Sequence, residues 1–265
     1  MRYLVVLLSG VVFSGCKLFG AIEEARELLE DPVTMQGLIY GIEPPVGLPS
    51  SIDTNGTILD IGARAQAWVQ RTGTSGVQVV DGASVSVISD RRPVGVQLVQ
   101  EGSGWFADGG DGLEYLVDDE VKLEVDYGGE RGSISMELPA GPVVNIQQDH
   151  TPGIGIDVRI TNAPNETPFD NGFVIVVDVL SAVAGDGSDP IVFESDYDIE
   201  QPKDPDNLQI SIPGSVFAAD RLYAVGVIGL VASTEADLLG LNPLGSGMLV
   251  GQMIVKTVYT GDITL

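Results

Sequence analysis

The chain has 265 residues, 34 of them glycine and 15 proline, and a formal net charge of −25. Such a charge repels phosphate, which excludes nucleic acid as a partner, and it excludes adhesion to anionic lipid through surface charge. A hydrophobic share of 44% with acids spread along the chain excludes wholesale disorder, and the length suffices for one large core or two medium ones.

In chain order the first element is a leader. Met1-Arg2 carries a positive charge, Tyr3 to Phe13 is almost wholly apolar, and Phe13-Ser14-Gly15-Cys16 follows. The apolar run is too short for a transmembrane helix, which needs roughly 20 residues, and fits the core of an export signal. Cys16 is the only cysteine in the chain, so it has no intramolecular disulfide partner in an oxidising compartment.

Phe13-Ser14-Gly15-Cys16 resembles the cleavage box of bacterial lipoprotein signal peptides, with Phe13 where Leu is usual. The resemblance covers only the leader. It implies cleavage between Gly15 and Cys16 and acylation of the Cys16 thiol. The membrane would then be the partner of the N-terminal acyl chains, since two or more chains give stable anchoring where one does not. By analogy with that family, Lys17 rather than Asp after the cysteine favours the outer membrane over the inner. The plainer alternative is an ordinary secretory signal with an incidental cysteine.

Lys17 to Asp31 reads as a short amphipathic helix. Ile22, Ala25, Leu28 and Leu29 share a face, Glu23, Glu24, Glu27 and Glu30 fall largely elsewhere, and Pro32 ends it. Pro32 to Ser51 is linker-like, with Met35 to Ile42 as a candidate first strand. From Ile58 the hydrophobic period becomes two. In Ile61 to Val69, the small and apolar residues Ile61, Ala63, Ala65, Ala67 and Val69 point one way; Arg64, Gln66 and Trp68 point the other. Ala83 to Val87, Val94 to Leu98, Val121 to Val125 and Ile134 to Leu138 repeat the alternation. The last two runs flank Gly128-Gly129 and predict a hairpin. Pro139 to Pro142 reads as a joint.

Beyond the joint, Ile154 to Ile160 and Leu208 to Ile212 alternate. Phe173 to Leu180 and Leu222 to Val231 are apolar on both faces, which predicts central strands. Ile191 to Phe193 is a short strand, Thr234 to Leu239 a single helical turn, and Met248 to Tyr259 the closing strand.

The chain therefore reads as all-β: two tandem antiparallel β-sandwiches of immunoglobulin-like size, preceded by a signal peptide and a short α-helix. The expected divisions are 1–15 signal peptide, 16–50 anchor, helix and linker, 51–140 first sandwich and 141–265 second. One larger continuous β-domain is the alternative.

For chemistry the sequence offers few groups. His150 is the only histidine, so any histidine-dependent triad would have to use it. One histidine and one cysteine cannot make a tetrahedral zinc site, and neither a phosphate-binding loop nor a nucleophile elbow occurs.

Two carboxylate groupings are the right residue type for calcium, which takes six to eight oxygens. One is Asp108-Gly-Gly-Asp111 with Asp118, Asp119 and Glu120. The other is Glu194, Asp196, Asp198 and Glu200 at alternate positions. An extended backbone would align the second set on one face, but Gln201 stands where an EF-hand loop needs glycine. The plainer reading of both is a solvated acidic loop.

Trp68 is a candidate ligand contact, or else it packs under a neighbouring element. The expected function is that of a lipid-anchored envelope or surface protein, a structural or binding module that is not an enzyme and needs no cofactor. Envelope proteins or polysaccharides are the further candidate partners. The alternatives are a calcium- or carbohydrate-dependent adhesion module and a hydrolase of unfamiliar type.

Overall fold

The computed structural model describes residues 33–45, 48, 62–73, 76–161, 169–184, 189–198, 208–233, 238–243 and 245–261. The leader, Gly15, Cys16 and the helix expected over Lys17 to Asp31 lie outside the described residues.

The alternating runs of the sequence form strands, and the described chain is mostly β with antiparallel sheets and no barrel. In order they are β1 (Val33–Ile42), β2 (Ala63–Gly73), β3 (Gly76–Val79), β4 (Ser84–Ser89), β5 (Arg92–Gln97), β6 (Val99–Glu101), β7 (Gly104–Asp108), β8 (Glu120–Tyr127) and β9 (Glu130–Glu137). Then come β10 (Val143–Asn145), β11 (Asp149–His150), β12 (Ile156–Thr161), β13 (Asn171–Asp178), the helix α1 (Val179–Ala184), β14 (Ile191–Asp198), β15 (Leu208–Ile212), β16 (Arg221–Ala232), β17 (Leu238–Leu239) and β18 (Gly247–Thr260).

The expected β8–β9 hairpin forms with Tyr127 opposite Glu130. Gly128 and Gly129 have φ of 63° and 90°. A two-residue turn with both φ positive matches the twist of the flanking strands, and only residues such as glycine enter it without strain.

A ten-stranded main sheet runs β14-β13-β16-β18-β1-β2-β7-β6, with β11 added to β18 and β3 to β2. Its pairings are antiparallel except that β1 and β11 each lie parallel to β18. A five-stranded sheet, β17-β9-β8-β4-β5, and a three-stranded sheet, β10-β12-β15, complete the described set.

Period two places the cores. Along β18, Met248 and Val250 join the core beneath the five-stranded sheet, while Ile254 and Val258 join the core beneath the three-stranded sheet. Along β16, Val231 belongs to the first core, and Val227, Val225 and Tyr223 to the second. All these positions share one parity in their strand, so both small sheets cover the same face of the main sheet. The other parity, with Leu222, Ala224, Ile228, Leu230, Leu249, Met253 and Val255, forms a third cluster on the second face with Leu38 and Tyr40 of β1. Strands β16 and β18 are thus covered on both sides, which is why their sequences are apolar on both faces.

The main sheet draws strands from both halves of the chain. The candidate strand Met35 to Ile42 of the linker-like stretch is β1, which sits between β18 and β2 and buries Met35, Leu38, Ile39 and Tyr40. Strand β17 occupies the end of the stretch expected to be a helical turn, and it pairs with β9 across the 140/141 division. The joint itself is pinned. The Tyr115 hydroxyl donates to Pro139 O at 2.7 Å, and Gly141 N–H donates to Gln252 Oε1 at 2.9 Å on β18.

Val94, expected to face inward, is 85% exposed, because β5 is the edge of the five-stranded sheet. From β5 the chain passes through buried Leu98 into β6, the edge of the main sheet, and Leu98 N–H donates to Val85 O at 2.8 Å. Val179 and Leu180, expected at the end of a strand, begin α1 instead. Asp178 Oδ1 accepts from the backbone N–H of Leu180 and Ser181 and turns the chain.

Candidate functional site

The two carboxylate groupings meet different fates. Asp108 and Asp111 close a 3-10 turn at Gly109–Asp111. Asp108 Oδ1 accepts from Gly110 N–H at 2.8 Å, and Asp108 N–H donates to Asp111 Oδ2 at 3.0 Å. This capping box engages one oxygen of each carboxylate and gives the pair a structural role in the turn.

Asp118, Asp119 and Glu120 lie elsewhere, at the start of β8. They line an open groove of about 750 Å³ with Asp90, Arg91, Ser135, Met136 and Glu137. Asp118 holds φ of 62°, and its N–H donates to Leu138 O. Asp119 is buried beneath the groove. Its carboxylate accepts from Ser89 Oγ and lies 3.8 Å from Arg91 Nε. Ser89, Asp90 and Arg91 come from the end of β4 and the turn after it. The β4–β8 register, with Ser89 opposite Val121, brings them to Asp119, so the sequence spacing gives no signal of this grouping. Chemically it is a shallow acidic groove over one satisfied carboxylate.

The second grouping begins on β14, an edge strand of the main sheet. Register sets Glu194 opposite Ile175, Asp196 opposite Phe173 and Asp198 opposite Asn171. The three acids therefore hold alternate positions of one strand, as expected, and Glu194 is exposed. Glu200 lies outside the described residues. Acids along an edge strand disfavour pairing with another chain. Among the described residues no three His, Cys, Asp or Glu side chains are grouped as a metal would require.

His150 is held in place. Its Nε2 lies 2.7 Å from Ile154 O, where it donates, and its ring meets the Phe217 ring edge-on at 5.1 Å. Phe217 in turn meets Tyr223 edge-on at 5.3 Å. The ring thus takes part in closing one end of the second core.

Asp157 on β12 accepts from Ser211 Oγ at 2.6 Å across the strand pair. That hydrogen bond is the main cause that holds its carboxyl below the usual carboxylate range, with Gln209 adding to it. A lowered pKa means that the ionised form is favoured by folding. The contribution is present above the ordinary Asp range and is lost as pH falls through the lowered value. Ser211→Ala is expected to move the Asp157 titration, followed by carboxyl NMR, upward toward the ordinary range.

Trp68 and its neighbours occupy the second face of the main sheet. The even positions of β2, read as the polar side of the strand, are buried at Gln66 and half-buried at Arg64 and Trp68. Trp68 is half-buried and meets Phe106 of β7 edge-on at 6.4 Å. Tyr40 is buried, and burial raises its phenol pKa, partly offset by the charge of Arg64 and a hydrogen bond from it. Gln66 is 0% exposed, and among the described residues neither its Oε1 nor its Nε2 has a hydrogen-bond partner. A sealed amide without partners costs about 1–3 kcal/mol. Gln66→Met, which keeps the volume, is expected to raise the midpoint of chemical denaturation by an amount worth about 1 kcal/mol. Nothing in the sequence singled out Gln66, because burial of a polar face depends on what covers it.

No family model matches this chain, and the curated proteins contain no significant match to it.

Proposed function

We propose that this chain is a lipid-anchored protein of a bacterial envelope, serving as a structural or binding module rather than an enzyme. The observation that carries the reading is Phe13-Ser14-Gly15-Cys16 behind an apolar leader, in a chain with no other cysteine. Acyl chains on Cys16 would hold the chain in a membrane, and Lys17 favours the outer one. The wide β-body supports the reading, since sheets present loops and edges on a rigid frame, although that argument rests on analogy between folds. We take the body to act as one unit, rather than as two tandem immunoglobulin-like modules, because β1 and β18 join the halves in one sheet.

Intact-mass analysis of the detergent-extracted protein tests the anchor. Wild type is expected to carry the mass of the acyl chains on a chain beginning at Cys16. Cys16→Ser is expected to lack it and to leave the membrane fraction. Equal masses without acyl groups in both would end the lipoprotein reading.

A further inference from the structure

Strand β1 is a plug between two parts of the main sheet. It pairs with β18 in parallel, from Gln36 opposite Gly247 to Ile42 opposite Met253. It pairs with β2 antiparallel, from Val33 opposite Arg71 to Gly41 opposite Ala63. Strands β18 and β2 are joined through it. The plug is buried on both faces, with Met35 and Ile39 in the first core and Leu38 and Tyr40 in the cluster on the second face.

The slot is keyed to the sequence of β1. A Cβ at Gly37 would lie 2.5 Å from Leu123 Cδ2, and one at Gly41 would lie 2.5 Å from Tyr115 Cγ. A strand with side chains at both places would have to displace both neighbours. The occupant that fits is therefore β1 itself, from the same chain or from a second copy. The connection permits either source. Antiparallel neighbours such as β1 and β2 need only two residues to join them. Residues 43–62, twenty in all, join these two. Fully extended, twenty residues reach about 66–72 Å, whereas a domain of this size has a radius of gyration of about 18 Å. The same β1 can thus reach the slot of an adjacent molecule.

We propose that β1 is an exchangeable strand: when two copies fold close together, β1 of each enters the slot of the other and closes a two-fold dimer. Exchanged and unexchanged strands make the same contacts, so the balance between them is set by concentration. The chain's own β1 competes at an effective concentration on the order of mM. Exchange therefore belongs to crowded chains and not to dilute ones.

Cross-chain disulfides test this. Thr34 of β1 lies opposite Gln70 of β2, and both are half-buried. Cysteines at directly opposed positions are within disulfide reach. The chain from residue 16 carries Cys16→Ser throughout, which removes its one native thiol. The double variant T34C/Q70C, refolded dilute, is expected to close its disulfide within one chain. The single variants Thr34→Cys and Gln70→Cys are then unfolded, mixed, refolded concentrated and oxidised. High salt screens the repulsion between chains of charge −25. Peptide mapping is expected to find the bond between positions 34 and 70 of different chains. Its yield is expected to be at least tenfold above that of Thr34→Cys mixed with Glu130→Cys, whose second position is the exposed start of β9. A yield equal to that control overturns the proposal, as does a double variant that leaves both thiols free. Co-expression of the two single variants, in which the chains fold together without denaturant, covers the case in which refolding fails and carries the same two outcomes. No step depends on acylation, so the result is separate from that of the mass analysis.

Discussion

Trp105→Ala is expected to lower stability by about 3–5 kcal/mol, the range for truncating a large buried aromatic. Trp105 heads the largest fully buried side chains, and it lies in the core between the main and five-stranded sheets. The space it fills is made by sequence. Strand β2 presents Ala63, Ala65, Ala67 and Val69 to that core, and Ala67 is the cross-strand partner of Trp105. Small residues on one strand leave room for an indole from the next. Removing the indole leaves alanines facing a void that rigid strands cannot close, so the cavity cost adds to the lost transfer energy. Trp105→Phe should lose far less, because most of the ring remains. Urea denaturation of both variants checks the order, and an alanine variant as stable as the phenylalanine one would refute the packing described.

Gly251→Ala is expected to cost about 3 kcal/mol, which lowers the melting temperature by roughly 6–12 °C for a chain of this size. Gly251 sits in β18, with Leu230 of β16 on one side and Tyr40 of β1 on the other. A Cβ there would lie 2.0 Å from Gly229 O, a backbone atom of the neighbouring strand. A clash with the end of a flexible side chain can be relieved by a rotamer change, but a clash with a strand carbonyl requires the strands to part. Because β18 joins β16 to β1, parting them opens the sheet where the two halves of the chain meet. Gly247→Ala is the control: the same strand, with the nearest atom, Ser233 Oγ, 3.6 Å away. Differential scanning calorimetry should show a large loss for Gly251→Ala and little for Gly247→Ala.

The two effects divide along what a linear pattern can carry. Alternation in Ala83 to Val87 and Val121 to Val125 was enough to place β4 and β8, and Gly128-Gly129 was enough to join β8 and β9 in a hairpin. The two-faced apolar run of Leu222 to Val231 marked a strand central to the sheet. These features are local, since strand period and turn geometry depend on neighbours in sequence.

Pairing between distant strands is not local. The parallel union of β1 with β18 joins residues more than 200 positions apart, and no periodicity encodes it. For this reason β1 read only as a candidate first strand within a linker-like stretch, although it is central to the main sheet. The same limit applies to sites. Asp108 and Asp111 looked like half of a calcium grouping with Asp118 to Glu120, but the chain spends the first pair on a turn and carries the others to a groove built with β4. Ser89 and Arg91 could not be linked to Asp119 until the β4–β8 register was known. The even positions of β2 read as the polar side of a strand, which left Trp68 either a ligand contact or packed, because burial is a property of what lies above a face.

By itself the sequence determined the strand-rich character of this protein, its acidity, the hairpin at Gly128-Gly129 and the single thiol at Cys16. All of these are properties of residue type, count or near-neighbour spacing. Only the tertiary structure decided that both smaller sheets share one face of a continuous main sheet, that β1 joins β18 to β2 within that sheet, and that Gln66 is sealed on its other face. Those follow from long-range register and packing, whose free energy comes from surfaces that meet only when the chain is folded.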